Sequence, residues 1–308
     1  MAIRPPILRA GDTVGIVTLG SPRDTGTIDA RIEFLQNMGF NVVVGNYVYS
    51  QMGFVAATPQ QRASDLMSMF ENQDVRAIIP TRGGSGVVDI IPYLDYSLIK
   101  DNPKILTGYS DITVLLNVLY RMADLITFHS LLLIDFRPTT PAYSFDQFFT
   151  ATSTLLSPRP LENPPGMPLV SRVPGNVTGQ IVGGNLTSFV DTLGTPFEVD
   201  TTGKILLIEE THEAVSRVYR LIMHLYHAGK IDDCAGIIMG ECSNCEDSYG
   251  KSYENLITEV IVPFGKPLMS NLASGHGTYK MAIPIGATAN LDTENNTLTV
   301  LEPTVSLL

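Results

Sequence analysis

The sequence predicts an α/β protein, with a mostly parallel sheet in its first half and a second β/α domain in its second half. Two observations support this fold class. Short apolar runs alternate with helical patterns through the first half, which is typical of right-handed βαβ units. Six prolines then fall between Ser157 and Pro174, after which strand-like runs resume. With 308 residues, of which 44% are hydrophobic, the chain is long enough for two domains of roughly 150 residues, each with its own core.

Local signals mark the elements of the first half. Gly39 suits the left-handed cap that ends a helix, and Thr58 with Pro59 suits the N-cap and first position of another. Short apolar runs mark the strands. We predict strands at 13–18, 41–44, 76–80 and 104–107, and helices at 29–38, 59–71 and 111–122.

A proline-rich segment separates the two halves, because neither a helix interior nor a central strand tolerates proline. We therefore predict an N-terminal domain at 1–156, a linker at 157–175 and a C-terminal domain at 176–308. The C-terminal half is again read as alternating strands and helices. We predict strands at 177–182, 204–208 and 236–239, helices at 213–228 and 253–262, and a strand-rich tail at 282–301.

The formal net charge of −11 and the pI near 4.8 argue against a nucleic-acid or anionic-membrane partner, because both need clustered Lys and Arg. Prolines and charges interrupt the apolar residues at the N-terminus, so no signal-peptide core is expected. No segment reaches the ~18 apolar residues of a spanning helix. We therefore expect a cytoplasmic protein without a membrane partner.

Neither the cysteines nor the histidines predict a disulfide framework or a metal site. Cys242 and Cys245, with Cys234 upstream, lack an obvious fourth ligand, and we interpret them as small buried hydrophobic residues. His224 and His227 share one helix face, yet no further ligands are apparent. We expect no metal and no cofactor.

The segment Thr107 to Thr113, TGYSDIT, joins a predicted strand to a predicted helix. Its serine, Ser110, follows the carboxyl end of a strand, where parallel sheets collect reacting groups. A helix beginning at about Asp111 directs unpaired N–H groups at negative charge that develops beside the serine oxygen. Two interpretations remain open: Ser110 or Asp111 caps the helix, or Ser110 is a nucleophile. The segment is not the G-x-S-x-G motif of α/β-hydrolases, because Ile112 stands at the second glycine.

A serine nucleophile needs a base, and the base needs an orienting carboxylate. His276 is the best candidate base, since Gly275 and Gly277 beside it permit close approach of the backbone to a neighbour. Glu209 and Glu210 end an apolar strand at the active edge of a sheet. Successive strand residues face opposite sides, so only one of the two carboxylates can serve.

Two glycine loops follow predicted strands, Arg82-Gly-Gly-Ser-Gly and Val182-Gly-Gly-Asn. Either loop can bind a phosphate through backbone N–H groups, although neither is G-x-G-x-x-G. A glycine loop beside a nucleophile can instead supply the second N–H group of an oxyanion hole.

Taken in order, these motifs resemble the LD-carboxypeptidase family of serine peptidases, which includes muropeptide LD-carboxypeptidases and the related microcin C self-immunity hydrolases. The resemblance spans nearly the whole chain. It implies a flavodoxin-like or amidotransferase-like N-terminal domain, a smaller swivelling C-terminal β/α domain, and an active site in the cleft between them. The matching segments are Gly11-Asp-Thr-Val-Gly-Ile-Val, Thr81-Arg-Gly-Gly-Ser-Gly, Leu94-Asp-Tyr with Asn102-Pro-Lys-Ile, Gly108-Tyr-Ser-Asp-Ile-Thr, Gly183-Gly-Asn-Leu, Leu207-Ile-Glu-Glu with Arg217 and Arg220, and Ser274-Gly-His-Gly.

The resemblance implies a role for each candidate residue. Ser110 becomes the nucleophile, His276 the general base and Glu209 the orienting carboxylate. Three backbone N–H groups are expected to form the oxyanion hole, and four residues of the glycine loops are expected to contact the substrate. The oxyanion-hole residues are Asp111, Gly83 and Gly84, and the substrate-contacting residues are Arg82, Ser85, Gly184 and Asn185.

The implied reaction is hydrolysis of the amide before a C-terminal D-amino acid in a murein tetrapeptide, a small peptide whose free carboxylate we expect Arg82 to bind. The resemblance also implies a homodimer. The chain departs from the family pattern at His129-Ser130-Leu131, where many relatives have His-Gly-Pro. It contains no tryptophan on which a nucleotide base can stack, which favours the muropeptide branch. The alternatives are hydrolysis of a peptidyl- or aminoacyl-nucleotide amide, and non-enzymatic binding of a sugar or nucleotide.

Overall fold

Two β-sheets organise residues 2–307, the part of the chain that the computed structural model describes. The strands are β1 (Thr13–Val17), β2 (Asn41–Val44), β3 (Val75–Pro80), β4 (Ile105–Gly108), β5 (Thr127–His129), β6 (Arg159–Pro160), β7 (Val170–Val173), β8 (Asn176–Asn185), β9 (Ile205–Thr211), β10 (Gly236–Ser243), β11 (Leu268–Leu272), β12 (Ile283–Ile285), β13 (Thr288–Asp292) and β14 (Thr297–Val300). The α-helices are α1 (Thr25–Asn37), α2 (Pro59–Glu71), α3 (Tyr96–Asp101), α4 (Ile112–Ala123), α5 (Ala142–Ser153), α6 (Leu186–Val190), α7 (Val215–His227), α8 (Lys230–Asp233) and α9 (Tyr253–Leu256).

The first sheet has the strand order β12-β5-β4-β3-β1-β2. Strands β1 to β5 are parallel, as the alternating strands and helices of the first half predict. The edge strand β12 comes from the C-terminal half and runs antiparallel to β5, with Ile283 opposite His129. The two halves of the chain therefore share one sheet, which the sequence does not indicate.

The second sheet has the order β6-β14-β13-β8-β9-β10-β11-β7. Its centre, β8 to β11, is parallel, and antiparallel strands flank it on both sides. Strands β6 and β7 lie within the segment 157–175 and occupy the two edges of this sheet. Edge positions tolerate proline, which explains how a proline-rich segment can contribute strands. The mixed α/β class is confirmed, whereas the proposed domain boundaries stay a prediction.

The first residue of helix α2 agrees with prediction, whereas that of helix α1 does not. Helix α2 begins at Pro59, as predicted, because Thr58 and Gln61 form a reciprocal capping box. Helix α1 begins at Thr25, four residues before the predicted 29, because the Asp24 side chain accepts a hydrogen bond from the N–H of Thr27 at 2.8 Å. The segment predicted as a helix at 253–262 is helical, but it is not one regular α-helix. The segment breaks into α9, a π-helical turn at Ile257–Ile261 and a 3₁₀ turn at Val262–Phe264.

Strand β9 separates two apolar cores. Ile205 and Leu207 belong to the larger core around the first sheet, whereas Leu206 and Ile208 belong to a second core beneath α6 and α7. This alternation is the period of two that a strand imposes on its side chains. It places odd-numbered residues of β9 toward the first sheet and even-numbered residues away from it.

The interpretation of Cys242 and Cys245 as separate buried hydrophobic residues is wrong. A disulfide joins them at the end of β10, with their Cα atoms 5.5 Å apart. Cys234 is free and buried. Within residues 2–307, no helix combines the length and the apolar character that crossing a membrane requires.

Candidate active site

Ser110 lies at the corner between β4 and α4 in a strained backbone conformation. Its φ is +61°, in the left-handed region that residues other than glycine seldom adopt. Its side chain makes no hydrogen bond within residues 2–307, and the N-cap residue Asp111 makes no side-chain cap bond. The helix-cap interpretation of Ser110 and Asp111 therefore has no hydrogen bond to support it.

The Asp111 carboxylate points away from the helix end. It accepts a hydrogen bond from the N–H of Val87 at 2.8 Å and a longer one from the Ser188 hydroxyl at 3.4 Å. Burial raises the pKa of Asp111 to about 6, and the hydrogen bond from Val87 opposes the rise. The side chain fastens the serine corner to the segment that follows the first glycine loop.

Gly83 packs directly against the serine corner. A Cβ atom at this position would lie 2.7 Å from the Ser110 Cβ, and 2.9 Å from both the Ser110 Oγ and the Asp111 backbone nitrogen. Within residues 2–307, the N–H groups of Gly83 and Asp111 donate no hydrogen bond. Two free N–H groups beside a hydroxyl are the donors that an oxyanion hole requires.

Ser21 holds the same glycine loop in place. The Ser21 N–H donates to the Gly83 carbonyl at 3.1 Å, and the Ser21 hydroxyl accepts from the Ser85 N–H at 3.1 Å. Gly84 has a φ of +94° and faces Ser21, leaving no room for a side chain. The first glycine loop is therefore held by the backbone and the hydroxyl of Ser21 without any ligand.

His276 is paired with Glu209. Its Nδ1 lies 3.0 Å from Glu209 Oε2, and the Glu209 side chain is fully buried while 18% of the His276 side chain is exposed. Gly275, at a φ of +68°, crosses directly over the Glu209 carboxylate, where a Cβ would collide with it. The glycines beside His276 thus permit the close approach expected of them.

Glu210 has a different environment, on the opposite face of β9. Its carboxylate accepts hydrogen bonds from the Asn185 side chain at 2.9 Å, and from the Thr187 N–H and hydroxyl at 2.9 and 2.7 Å. Burial raises its pKa. Strand alternation therefore assigns Glu209 to the histidine and Glu210 to the junction between β8 and α6.

The Tyr109 ring contacts two histidine rings. It meets the His276 imidazole edge-on, with centroids 5.0 Å apart. It also lies 6.5 Å from the ring of His129, which is fully buried on β5 and has no hydrogen-bond partner for either ring nitrogen within residues 2–307. Burial lowers the pKa of His129 to about 4; the Glu209 charge opposes this shift and His276 adds to it.

The sequence alone does not assign the buried histidine His129 a role in the site. The parallel register of β4 and β5 places it opposite Gly108, two residues before Ser110. His129 is therefore the histidine on the strand that pairs with the strand leading to Ser110.

Two cavities meet at the site. The larger, about 460 Å³, is bordered by Arg82, Tyr109 and His276, and the smaller, about 220 Å³, is bordered by Ser110 and Asn185. The loop that begins at Arg82 contributes to both. Within residues 2–307 no hydrogen bond joins the Ser110 hydroxyl to the His276 ring, so the structure brings the two residues to adjoining cavities without pairing them.

The four predicted substrate contacts fall into different settings. Arg82 borders the larger cavity and Ser85 the smaller one. The Asn185 side chain also borders the smaller cavity, although its carbonyl caps α6 at the Ser188 N–H, 3.1 Å away. Gly184 packs against Thr113 and the His129 ring, with a φ of +133°. Within residues 2–307 no cluster of three His, Cys, Asp or Glu side chains is suited to a metal ion.

Comparison with known proteins assigns this arrangement to a family. Residues 14–130 match the LD-carboxypeptidase N-terminal domain, and residues 178–291 match the LD-carboxypeptidase C-terminal domain. A probable murein peptide carboxypeptidase of Bacillus subtilis is 36% identical over 98% of this chain and 95% of its own length. A murein tetrapeptide carboxypeptidase of Pseudomonas aeruginosa is 28% identical over 91% of this chain and 92% of its own.

A solved structure of MccF in complex with glutamyl sulfamoyl guanosine superimposes with a TM-score of 0.92 at 25% identity, covering 98% of this chain and 99% of that one. Both halves of the chain and its two-domain fold are thus shared with relatives over nearly their whole length. The protein belongs to the LD-carboxypeptidase family.

Proposed function

We propose that the protein is a serine LD-carboxypeptidase that releases a C-terminal D-amino acid from a murein tetrapeptide. The observation that carries the proposal is the hydrogen bond between buried Glu209 and His276, beside a serine whose φ is +61°. The names of the Bacillus and Pseudomonas relatives support the same substrate class.

In the first half-reaction, the Ser110 oxygen attacks the carbonyl carbon of the scissile amide, and His276 Nε2 accepts the serine proton. The N–H groups of Asp111 and Gly83 stabilise the oxyanion of the tetrahedral intermediate. Glu209 holds the Nδ1 proton and stabilises the imidazolium. The C–N bond then breaks, His276 protonates the leaving amine, and the acyl group remains as an ester on Ser110.

In the second half-reaction, water attacks the ester carbonyl and gives a proton to His276. The ester bond to Ser110 breaks, the serine oxygen recovers the proton, and the shortened peptide leaves. This sequence needs the Ser110 hydroxyl and the His276 ring to come within hydrogen-bond distance, a contact that substrate binding can complete, since catalytic hydrogen bonds often tighten only in the Michaelis complex.

The direct experiment is mass spectrometry of a murein tetrapeptide before and after incubation with the protein. We expect loss of one terminal alanine, and no loss with Ser110→Ala. Ser97→Ala is the matched control, because Ser97 is exposed on α3 and borders neither cavity of the site. A tetrapeptide that stays intact with folded wild-type protein overturns the proposal.

The alternative function is hydrolysis of a peptidyl- or aminoacyl-nucleotide amide, and aminoacyl sulfamoyl adenosine is the compound that tests it. A solved structure of MccF contains aspartyl sulfamoyl adenosine. The absence of tryptophan from the chain favours the peptide substrate. We expect the murein tetrapeptide to be hydrolysed at a higher kcat/KM than the nucleotide amide, and the reverse order favours the alternative. If neither compound is hydrolysed and a fluorophosphonate fails to label the protein, a non-enzymatic binding module is favoured.

We further propose that the enzyme acts in the cytoplasm as a homodimer. The dimer rests on the family resemblance, and the compartment rests on the expectation drawn from the sequence. Cell fractionation with an antibody against the chain tests the compartment, and light scattering after size exclusion tests the dimer. A mass near 33.5 kDa at micromolar concentration contradicts the dimer.

A further inference from the structure

The larger cavity is strongly basic, although the chain as a whole carries a net charge of −11. Its border contains five cationic side chains and a single carboxylate, that of Asp135. The cations come from α1 and the segment before it, from the first glycine loop, from the turn before α5 and from the His276 loop. They are Arg23, Arg31, Arg82, Arg137 and Lys280.

Two of these cations already have partners. Arg23 pairs with exposed Asp24 at 3.2 Å. Lys280 donates to the Gly277 carbonyl at 2.9 Å, lies 3.6 Å from Asp135 and sits over the Tyr109 ring. The one bordering carboxylate is thereby engaged with the lysine, and its other oxygen accepts from the Leu132 N–H at 2.9 Å.

The other three cations have no hydrogen-bond or salt-bridge partner in the described part of the chain, although the charge of Arg137 acts on Asp135 from a longer distance. Within residues 2–307, the side chains of Arg31, Arg82 and Arg137 make no hydrogen bond and no ion pair within 4 Å, and the Nε of Arg31 is buried. Guanidinium groups present planar sets of donors that match carboxylates, and a buried donor without an acceptor is costly. Three guanidinium groups around one cavity, of which Arg31 has a buried donor without an acceptor, favour a ligand with more than one anionic group.

The position of His276 indicates which part of the substrate enters this cavity. This step rests on the proposed function, in which His276 protonates the leaving amine. The His276 ring borders the larger cavity. The departing residue therefore occupies the basic cavity, and its terminal carboxylate is bound by Arg82, which adjoins the oxyanion loop. Ser110, which keeps the acyl group, borders the smaller cavity instead.

A single alanine accounts for only part of the basic cavity. Its one carboxylate engages one guanidinium, and a volume of about 460 Å³ falls in the range of pockets that hold drug-sized ligands. We propose that Arg31 and Arg137 form a second anion subsite and select a departing residue with an acidic side chain. The enzyme then releases C-terminal D-glutamate more efficiently than C-terminal D-glutamine or D-alanine.

The test compares kcat/KM for tetrapeptides that differ only in the last residue, D-Ala, D-Gln or D-Glu. D-Gln matches D-Glu in shape and lacks its charge. We expect the D-Glu peptide to exceed the D-Gln peptide by about 10- to 100-fold, as one additional charge-assisted contact provides. The ratio of kcat/KM for the D-Glu peptide to that for the D-Gln peptide should fall as the NaCl concentration is raised, because salt screens the charge–charge contact.

Two variants assign the effect to its residues. In Arg31→Gln and Arg137→Gln, the ratio of D-Glu to D-Gln turnover should fall toward one. Arg9→Gln removes an exposed arginine that does not border the cavity, and it should keep the wild-type ratio. The wild-type ratio alone tests the proposal if a variant fails to fold.

The outcomes separate the two proposals. Release of D-alanine together with a D-Glu peptide that is no better than the D-Gln peptide overturns the second anion subsite and leaves the proposed function intact. A high ratio that survives both arginine substitutions overturns the assignment to Arg31 and Arg137. Absence of turnover for all three peptides overturns both proposals.

Discussion

The serine side and the histidine side of the site are positioned by different means. Backbone geometry places Ser110: a positive φ, a glycine packed against it, and the start of α4. Side-chain contacts place His276: a hydrogen bond to a buried carboxylate and an edge-on tyrosine. The serine side therefore depends mainly on the backbone conformation of the β4–α4 corner and of the glycine loop packed on it, whereas the histidine side depends on side-chain contacts between distant segments.

The loop that carries His276 also connects the two sheets. It leaves β11 of the second sheet and returns through β12, which pairs with β5 of the first sheet at His129. Because the two ends of this loop lie in different sheets, the position of the His276 imidazole depends on how the two sheets pack together. The comparison teaches that the proposed catalytic pair depends on how the sheets are joined as well as on the residues themselves.

Removal of the serine hydroxyl should have the largest effect. We expect Ser110→Ala to lower kcat/KM for the tetrapeptide by at least about 10⁴-fold, because a triad without its nucleophile retains only binding and oxyanion stabilisation. Adding His276→Ala should cause little further loss, since residues that act as a unit are not additive. A double variant much slower than either single variant would show that the two sides act independently.

The second-largest effect is expected from a substitution that changes only the histidine side. Glu209→Gln should lower kcat by about 10³- to 10⁴-fold, because a neutral amide no longer stabilises the imidazolium or fixes its tautomer. Steady-state kinetics on a variant with wild-type circular dichroism measures this. Glu71→Gln, on the exposed end of α2, is the control. A loss below tenfold would contradict the role of Glu209.

A glycine substitution tests the serine side alone. In Gly83→Ala the new methyl group would come within 2.9 Å of the Ser110 oxygen and the Asp111 nitrogen. Alanine keeps its N–H, but its methyl group displaces the Ser110 oxygen from the two N–H groups, so we expect kcat to fall by about 10²- to 10³-fold, as when one oxyanion donor is lost. Gly26→Ala is matched to it, because its nearest neighbour would be 3.8 Å away. Equal activity of both variants would argue against an oxyanion hole at Gly83.

The smallest effect is on stability. Burial raises the pKa of Asp111 from 3.8 to about 6, so the unfolded chain releases this proton at a lower pH than the folded protein. The free energy of unfolding of the wild type should therefore fall relative to Asp111→Asn as the pH rises from about 4 to 6. The change should reach up to about 3 kcal/mol. Urea midpoints at pH 4 and 7 measure it, and a pH-independent difference contradicts the shift.

Local signals explain how much of the fold the sequence predicts. Helix α2 begins at Pro59, as predicted, because its capping residues are neighbours in the chain. The strand-to-helix corner at Ser110 follows from the same kind of local pattern. The sequence predicts strand β12 only as part of a strand-rich tail. Its place beside β5 cannot be predicted from local signals, because the paired residues are more than 150 positions apart in sequence.

The candidate site divides in the same way. Strand alternation narrows the carboxylate to one of Glu209 and Glu210, but only the packing of β9 between two cores decides which one faces His276. The sequence alone assigns no role to His129, because its place near the serine corner depends on the order of the strands in the sheet. The disulfide between Cys242 and Cys245 was missed because two cysteines three residues apart also fit buried packing.

The most direct test of the central claim, that Ser110 is a nucleophile activated by His276, is fluorophosphonate labelling followed by peptide mapping. We expect one adduct, on the peptide that contains Ser110, with no adduct in Ser110→Ala and labelling slowed at least about 100-fold in His276→Ala. An adduct on another serine, or labelling of Ser110 at an unchanged rate without the imidazole, would contradict the account.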